Sequence, residues 1–243
     1  MRIVAITQAR MGSTRLPGKV LMDLAGEPML VRHVNRVQRM RTLDGVIVAA
    51  STQPADDVIV RLCKERGWTS FRGSEEDLLD RYYQAALQHR ADVVVRVTSD
   101  CPLIEPAVVD RLVGEFLDRQ PDLDYACNFL PRKTFPHGLD AEVMRFDALE
   151  RAWRESRDPV WREHVTLPIL RNPDRYRIHG MTNDVDYSYL RWTVDEAEDL
   201  EFVRRIYDHF GHDRFSWHEV ITLLDTHPEW TEINRSVKPN VVR

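Results

Sequence analysis

The sequence predicts an α/β fold: a mostly parallel sheet with helices on both faces. Three observations predict it. Apolar runs such as Val46-Ile47-Val48-Ala49-Ala50 and Val93-Val94-Val95-Arg96-Val97, the latter broken only by Arg96, alternate with helical patterns through the first half. Strands that are apolar on every residue belong to sheets covered on both sides. The first strand runs straight into a loop with two glycines and three cations, the kind of edge at which α/β proteins bind phosphate. The 243 residues, 43% hydrophobic and 30% charged, are enough for one large core.

The elements follow in order. Ile3–Thr7 is a buried strand. Pro28 sits in the first turn of a helix whose apolar positions Met29, Leu30, Val34 and Val37 recur at helical spacing. Val46–Ala50 is the next strand, and Val58 and Leu62 belong to a helix stopped by Gly67. A strand around Thr69–Phe71, a helix over Glu76–His89, a strand over Val93–Val97 and a helix over Pro106–Leu117 complete the regular half. Pro131, Pro136, Pro159, Pro168 and Pro173 then break the pattern into short pieces. Within them, Leu139–Phe146 reads as a strand, Asp147 caps a helix through Trp153, and Tyr176–Met181 reads as a strand. Glu196–Phe210 and Trp217–Leu224 are helices. The pattern is that of a single domain, 1–243, with a smaller lobe inserted at about 125–189.

The formal net charge of −5 argues against a nucleic-acid partner, which calls for a basic excess. Cys63, Cys101 and Cys127 are odd in number and far apart, as expected for reduced thiols in the cytoplasm. The opening apolar run is too short for a signal peptide, and no run approaches the roughly 18 residues of a membrane span. Neither H-E-x-x-H nor G-x-S-x-G occurs.

Five segments carry candidate chemistry. In the loop Arg10-Met11-Gly12-Ser13-Thr14-Arg15-Leu16-Pro17-Gly18-Lys19, the glycine spacing is one residue too long for a P-loop, and Val20 lacks the hydroxyl that would ligate magnesium. Arg10, Arg15 and Lys19 still suit a nucleoside triphosphate, while Gly12, Ser13 and Gly18 supply N–H donors and clearance. In Val97-Thr98-Ser99-Asp100-Cys101-Pro102, a strand ends in a carboxylate at the sheet's carboxyl edge; Asp100 either ligates magnesium or closes an Asx turn. Asp195 either forms an acidic capping box with Glu198 or is a second metal ligand, and Arg191 is a substrate cation or an ion-pair partner. His137, Asp140 and Glu142 alternate with apolar residues, as acceptor contacts or as the polar face of a half-buried strand. Arg72-Gly73-Ser74 precedes a helix that Ser74 caps with Asp77, and such a loop can also face a base edge. His164 reads as a helix-start or core histidine rather than a catalyst.

With these segments in view, the chain resembles the cytidylyltransferases related to CMP-KDO and CMP-sialic acid synthetases, and within them the subgroup of spore coat polysaccharide biosynthesis protein F. The resemblance rests on Ala9–Lys19, Phe71–Ser74, Arg96–Leu103, Gly138–Val143, Arg162-Glu163-His164-Val165-Thr166 and Arg191–Asp195. It implies a Rossmann-like nucleotide-diphospho-sugar transferase fold, Mg2+ dependence, a homodimer and transfer of a nucleoside monophosphate with release of pyrophosphate. By this resemblance Arg10 and Lys19 match triphosphate-binding cations, Asp100 a metal ligand, and the Gly73 loop a base-recognition segment. Ser99 stands where the family usually has glycine, and the acceptor-reading motifs of the sialic-acid branch are absent.

The expectation is therefore a cytoplasmic, Mg2+-dependent nucleotidyltransferase that uses CTP and a small sugar-like acceptor. Arg10, Lys19 and Asp100 are its catalytic groups, with Asp100 and Asp195 on the metal. Gly12, Ser13, Arg15, Gly18, Arg72, Gly73 and Ser74 bind nucleotide; His137, Asp140, Glu142 and Arg191 face the acceptor. The alternatives are a non-catalytic nucleotide-sugar binder and a glycosyltransferase. Asp184-Val185-Asp186 spells the D-x-D of the latter, though within an irregular stretch.

Overall fold

The computed structural model describes residues 1–238, so the last five residues of the expected 1–243 domain lie outside the described residues. The chain opens with β1 (Ile3–Gln8). A loop leads to a two-stranded hairpin, β2 (Asp23–Leu24) and β3 (Glu27–Pro28), which delivers Pro28 as the N-cap of α1 (Met29–Val37). Next come β4 (Gly45–Ser51), α2 (Asp57–Glu65), β5 (Thr69–Gly73), α3 (Leu78–Gln88), β6 (Val93–Thr98) and α4 (Pro106–Leu117). β7 (Tyr125–Cys127), β8 (Glu142–Arg145), α5 (Phe146–Glu155), α6 (Pro159–Glu163), α7 (Leu167–Leu170), β9 (Ile178–Gly180), α8 (Ala197–Phe210) and α9 (Trp217–Thr226) follow.

One seven-stranded sheet has the order β5-β4-β1-β6-β8-β7-β9. The first four strands are mutually parallel, β8 runs antiparallel to both its neighbours, and β7 and β9 are parallel. Strand side chains alternate between two apolar cores. Ala5, Val48 and Val95 pack with α1, α2, α4, α8 and α9; Ile6, Ala49 and Val94 pack with α3, α5 and α7. Each fully buried aliphatic side chain contributes about 1.5–3 kcal/mol.

From β1 the chain builds outward through β4 and β5, then returns to place β6 on the other side of β1. Strand order thus reverses beside β1, and the carboxyl ends of β1 and β6 open onto the crevice where α/β sheets bind ligands. In the register of that pair, Gln8 faces Thr98, so the loops after both strands leave the sheet together.

Residues 125–189, expected as an inserted lobe, contribute β7, β8 and β9 to this same sheet and α5 and α7 to one of its faces. The expected strand over Leu139–Phe146 is shorter, beginning at Glu142. Buried Asn128 donates to the Leu139 carbonyl (2.7 Å) and accepts from the Ala141 amide (2.9 Å), standing in for a strand partner. Among the described residues no helix is long and apolar enough to cross a membrane, and the three cysteines are buried and free.

Candidate active site

The loop between β1 and β2 is folded by its small residues. Gly18 takes φ +74°, a conformation open to glycine, and its amide donates to the Met11 carbonyl at 2.9 Å. That turn starts a short 3-10 segment, Lys19–Leu21, which aims Lys19 inward. The Met11 amide donates to Asp56 (2.7 Å), whose other oxygen accepts from the Ser51 amide and hydroxyl. Asp56 therefore ties the loop to the end of β4, a role with no signal in the sequence.

Lys19 Nζ is the centre of the site. It lies 3.3 Å from Asp100 Oδ2, 3.1 Å from Asp195 Oδ1 and 2.6 Å from the Val194 carbonyl. Burial works against its charge, but the two carboxylates outweigh burial and raise its pKa. Burial likewise opposes ionisation of Asp100, yet Lys19 and the Thr98 hydrogen bond hold that carboxyl below its usual range. Arg15 approaches the other oxygen of Asp195 at 3.2 Å and Glu196 at 3.2 Å.

Asp195 is held from behind. Arg191 donates to Asp195 Oδ2 (2.9 Å) and to both oxygens of Asp199 (2.8 and 2.9 Å). Asp199 is fully buried and also accepts from the amides of Asp195 and Glu196 and from Asn234. The capping box of α8 is formed by Glu196 and Asp199, one residue later than the expected Asp195–Glu198 pair. The shift follows from Asp199 serving both cap and ion pair, and it leaves the Asp195 carboxylate for the cleft.

A cleft of about 340 Å³ opens over these groups, within the size range of ligand sites. Of the residues expected in the loop and on the metal, Arg10, Ser13, Arg15, Lys19, Asp100 and Asp195 line it, whereas Gly12 and Gly18 do not; Gly18 serves the loop's own turn. Arg10 stands half-exposed at its side, 3.9 Å from Glu75. The residues fit a divalent cation: two carboxylates and a backbone carbonyl already converge on one positive charge, the Lys19 ammonium. Magnesium takes one or two carboxylates and completes its shell with water and phosphate oxygens.

Other expected site residues lie elsewhere. Arg72 is not on the cleft; it donates to the Ser51 and Gln53 carbonyls (3.0 and 2.9 Å) and to Asp57 (2.6 Å), bracing the loop after β4. A Cβ on Gly73 would sit 2.7 Å from Arg81 Cγ, so this glycine makes room for that arginine. Arg81 in turn holds the Ser74 carbonyl (2.8 and 2.6 Å) and lines the cleft. The N-cap of α3 is Asp77, while the Ser74 hydroxyl accepts from the Asp77 amide at 3.0 Å.

The four expected acceptor residues divide between two places. Asp140 and Glu142 border a cavity of about 220 Å³ beside the cleft. Glu142 is ion-paired with Arg96 directly across the strands and accepts from the Tyr125 hydroxyl at 2.6 Å. Asp140 pairs with Lys133 at 2.7 Å. His137 and Arg191 instead border a larger cavity, about 480 Å³, against the chain around Asn234, away from the cationic loop. Gln8, Glu75, Arg81, Arg96 and His164 line the cleft without having been singled out for it. His164, expected as a helix-start or core residue, is the partly exposed C-cap of α6. Asp184 and Asp186 lie in an exposed loop, where Asp186 accepts from the Ser188 amide at 2.9 Å, and neither lines the cleft.

A family model described as cytidylyltransferase matches residues 4–215. The chain belongs to the cytidylyltransferase family. It is therefore an enzyme of nucleotidyl transfer. This cytidylyltransferase is 33% identical over 235 residues to the spore coat polysaccharide biosynthesis protein SpsF of Bacillus subtilis, covering 93% of this chain and 95% of that protein. A solved cytidylyltransferase from Leptospira borgpetersenii superposes with a TM-score of 0.91 at 31% identity, covering 99% of this chain and all of that one. A CMP:2-keto-3-deoxy-manno-octonic acid synthetase solved with CTP gives a TM-score of 0.67 at 21% identity, over 86% of this chain and 99% of that one. At that identity the likeness is one of fold.

Proposed function

We propose that this enzyme transfers CMP from CTP to an oxygen of a sugar or sugar-acid-like acceptor for surface polysaccharide biosynthesis, with Mg2+ as cofactor and pyrophosphate as the other product. The convergence of Lys19 with Asp100 and Asp195 at the carboxyl edge of β1 and β6 carries this reading. The CTP bound by the synthetase of the same fold and the polysaccharide named for the Bacillus relative support it.

Asp100 and Asp195 would hold the metal, which supplies positive charge to the phosphate oxygens as the bond to pyrophosphate breaks. The remaining work belongs to the chain. Arg10, Arg15 and Lys19 neutralise the β- and γ-phosphates, while the amides of Met11, Ser13 and Gly18 are spent on holding the loop in shape. Arg15 and Lys19 are already positioned, because Asp195, which holds both in the free enzyme, is fixed from behind by Arg191 and Asp199. Nucleotidyl transfer of this kind depends on positioning and charge neutralisation. The acceptor oxygen enters from the 220 Å³ cavity, in line with the leaving pyrophosphate. The enzyme operates as a cytoplasmic homodimer.

The test is pyrophosphate release with CTP, GTP, UTP or ATP across an acceptor panel that includes 3-deoxy-manno-octulosonate, neutral sugars and amino sugars. Release with CTP and an acceptor, dependent on Mg2+, is the expected result. Release of a nucleoside diphosphate from a nucleotide sugar, with no pyrophosphate from any triphosphate, overturns it in favour of glycosyl transfer.

A further inference from the structure

The nucleotide cleft and the 220 Å³ cavity beside it share three side chains: Arg96, Thr98 and His164. On the reading above, an acceptor oxygen must cross this shared rim to reach the α-phosphorus, so the group that takes its proton stands on the rim. Arg96 cannot take it. Burial disfavours its charge, but the ion pair with Glu142 more than restores it, and the guanidinium stays protonated. Thr98 cannot take it either, since a neutral hydroxyl is too weak a base; its oxygen lies 3.3 Å from Cys101 Sγ.

His164 has the required chemistry and the required freedom. Among the described residues its ring nitrogens have no hydrogen-bond partner within the protein, whereas its backbone is fixed. Its amide donates to the Val160 carbonyl (3.1 Å), and its carbonyl accepts from the amides of Thr166 (2.5 Å) and Leu167 (3.2 Å). The next residue, Val165, is fully buried and takes φ +47°. The left-handed region is a true outlier for a β-branched side chain, and such backbone strain gathers where surrounding structure holds a functional group in place. Here it turns the chain sharply between α6 and α7, burying Val165 and leaving His164 on the rim.

We propose that His164 is a catalytic residue, the base that receives the proton of the attacking hydroxyl. The acceptor oxygen forms its bond to the α-phosphorus while its proton passes to a ring nitrogen of His164. The bond from the α-phosphorus to the bridging oxygen breaks, and its electron pair leaves with pyrophosphate. The inference rests on cytidylyl transfer being the reaction.

The experiment compares the wild-type enzyme with His164→Gln and His164→Ala. Pyrophosphate release from CTP is followed with the acceptor panel and with water alone, and CTP affinity is measured by calorimetry. Both variants are expected to bind CTP within about twofold of the wild type and to lose kcat by roughly 10²–10⁴-fold, the usual worth of general base catalysis. Added imidazole should restore the Ala variant at least about tenfold by replacing the missing base, and should leave the Gln variant unchanged. Gln preserves most of the side-chain volume, so it carries the comparison if the Ala variant fails to fold. A kcat within about threefold of the wild type, or a loss of CTP affinity that matches the loss of kcat without imidazole rescue, overturns the role of His164. A wild type that releases pyrophosphate neither with any acceptor of the panel nor with water, and instead releases nucleoside diphosphate from a nucleotide sugar, overturns cytidylyl transfer, and the inference with it.

Discussion

The Lys19 ammonium and the Asp195 carboxylate stand 3.1 Å apart across 176 residues of sequence. Asp100 approaches the same ammonium at 3.3 Å from a third part of the chain. In the free enzyme a lysine thus occupies the position between two carboxylates where a divalent ion is proposed to act. Lys19→Met should leave Asp100 and Asp195 mutually repelling in a poorly solvated site. The expected cost is roughly 3 kcal/mol, the lower end for a broken buried pair because Asp100 keeps some contact with solvent. Millimolar Mg2+ should then raise Tm more in Lys19→Met than in the wild type, since it replaces the lost charge. Scanning calorimetry with Mg2+ and with chelator decides it, and equal responses in the two proteins would count against a shared metal site.

Asp100→Asn keeps the side chain's shape and removes its charge. Turnover should fall by about 10²–10³-fold, as for loss of one electrostatic contact in a transition state, while the far-UV circular dichroism spectrum stays that of the wild type. Activity that survives at saturating Mg2+ would remove Asp100 from the metal.

Much of this molecule was legible in its sequence, and the reason is local. β1, β4 and β6 are dominated by apolar residues, and the loop after β1 gathers its cations within ten residues. Asp100 could be placed at the sheet's edge because it lies in the turn just after β6. What stayed hidden depends on pairs far apart in sequence. Arg72 carries a charge next to a glycine, which reads as a ligand contact until the Ser51 and Gln53 carbonyls are seen to take it. Glu142 looks available until Arg96, 46 residues earlier, neutralises it. The α8 cap slipped by one residue because Asp195-x-x-Glu198 and Glu196-x-x-Asp199 satisfy the same pattern, and only the buried partner Arg191 chooses between them. His164 lies in one of the segments that carry the family resemblance, but nothing local marked it as more than a helix-start or core histidine; its place on the rim follows from the turn at Val165.

Arg191 was expected to face the acceptor, but its contacts make it the support of Asp195. Arg191→Gln should strip the charge partner from fully buried Asp199 and cost about 3–5 kcal/mol. Adding Asp199→Asn should recover part of that loss, giving a coupling of at least about 1 kcal/mol in a double-mutant cycle. Chemical denaturation of the four proteins measures it. A raised acceptor KM with unchanged stability would instead restore Arg191 to the acceptor.

Gly138 follows a parallel bridge between His137 and Arg191, where two segments of the chain run side by side. The His137 amide donates to the Leu190 carbonyl, and the Trp192 amide to the His137 carbonyl. Gly138 takes φ +115°, and a Cβ there would sit 2.6 Å from the Thr193 nitrogen and the Trp192 carbonyl carbon. These atoms are backbone, so no side chain can yield, and Gly138→Ala should destabilise the protein by roughly 3 kcal/mol. It should also lower activity, because the displaced segment leads directly to Asp195. Equal Tm values for the variant and the wild type would show that the two segments separate freely.

His33 makes the pH dependence of folding specific. It is fully buried; Nδ1 faces the Cys101 carbonyl at 3.0 Å and Nε2 faces the Thr7 hydroxyl at 2.9 Å. A carbonyl can only accept, so Nδ1 carries the proton, Nε2 accepts from Thr7, and the ring is neutral. Burial pushes its pKa down to about 4. The unfolded chain, with an ordinary imidazole near 6.5, then binds more protons than the native one between about pH 4 and 6.5. Stability from this residue is complete above about 6.5 and falls as pH drops through that window, by up to about 1.4 kcal/mol per pH unit. Asp100, Asp199 and Asp213 have lowered pKa values, so the stability they lend is lost only as pH falls below the ordinary carboxylate range. His137 is lowered as well, which makes the comparison with a variant necessary. Urea unfolding from pH 5 to 6.5 should show a shallower slope for His33→Gln than for the wild type, whatever its absolute stability, and parallel slopes would mean that the buried imidazole does not set the acid limit of the fold.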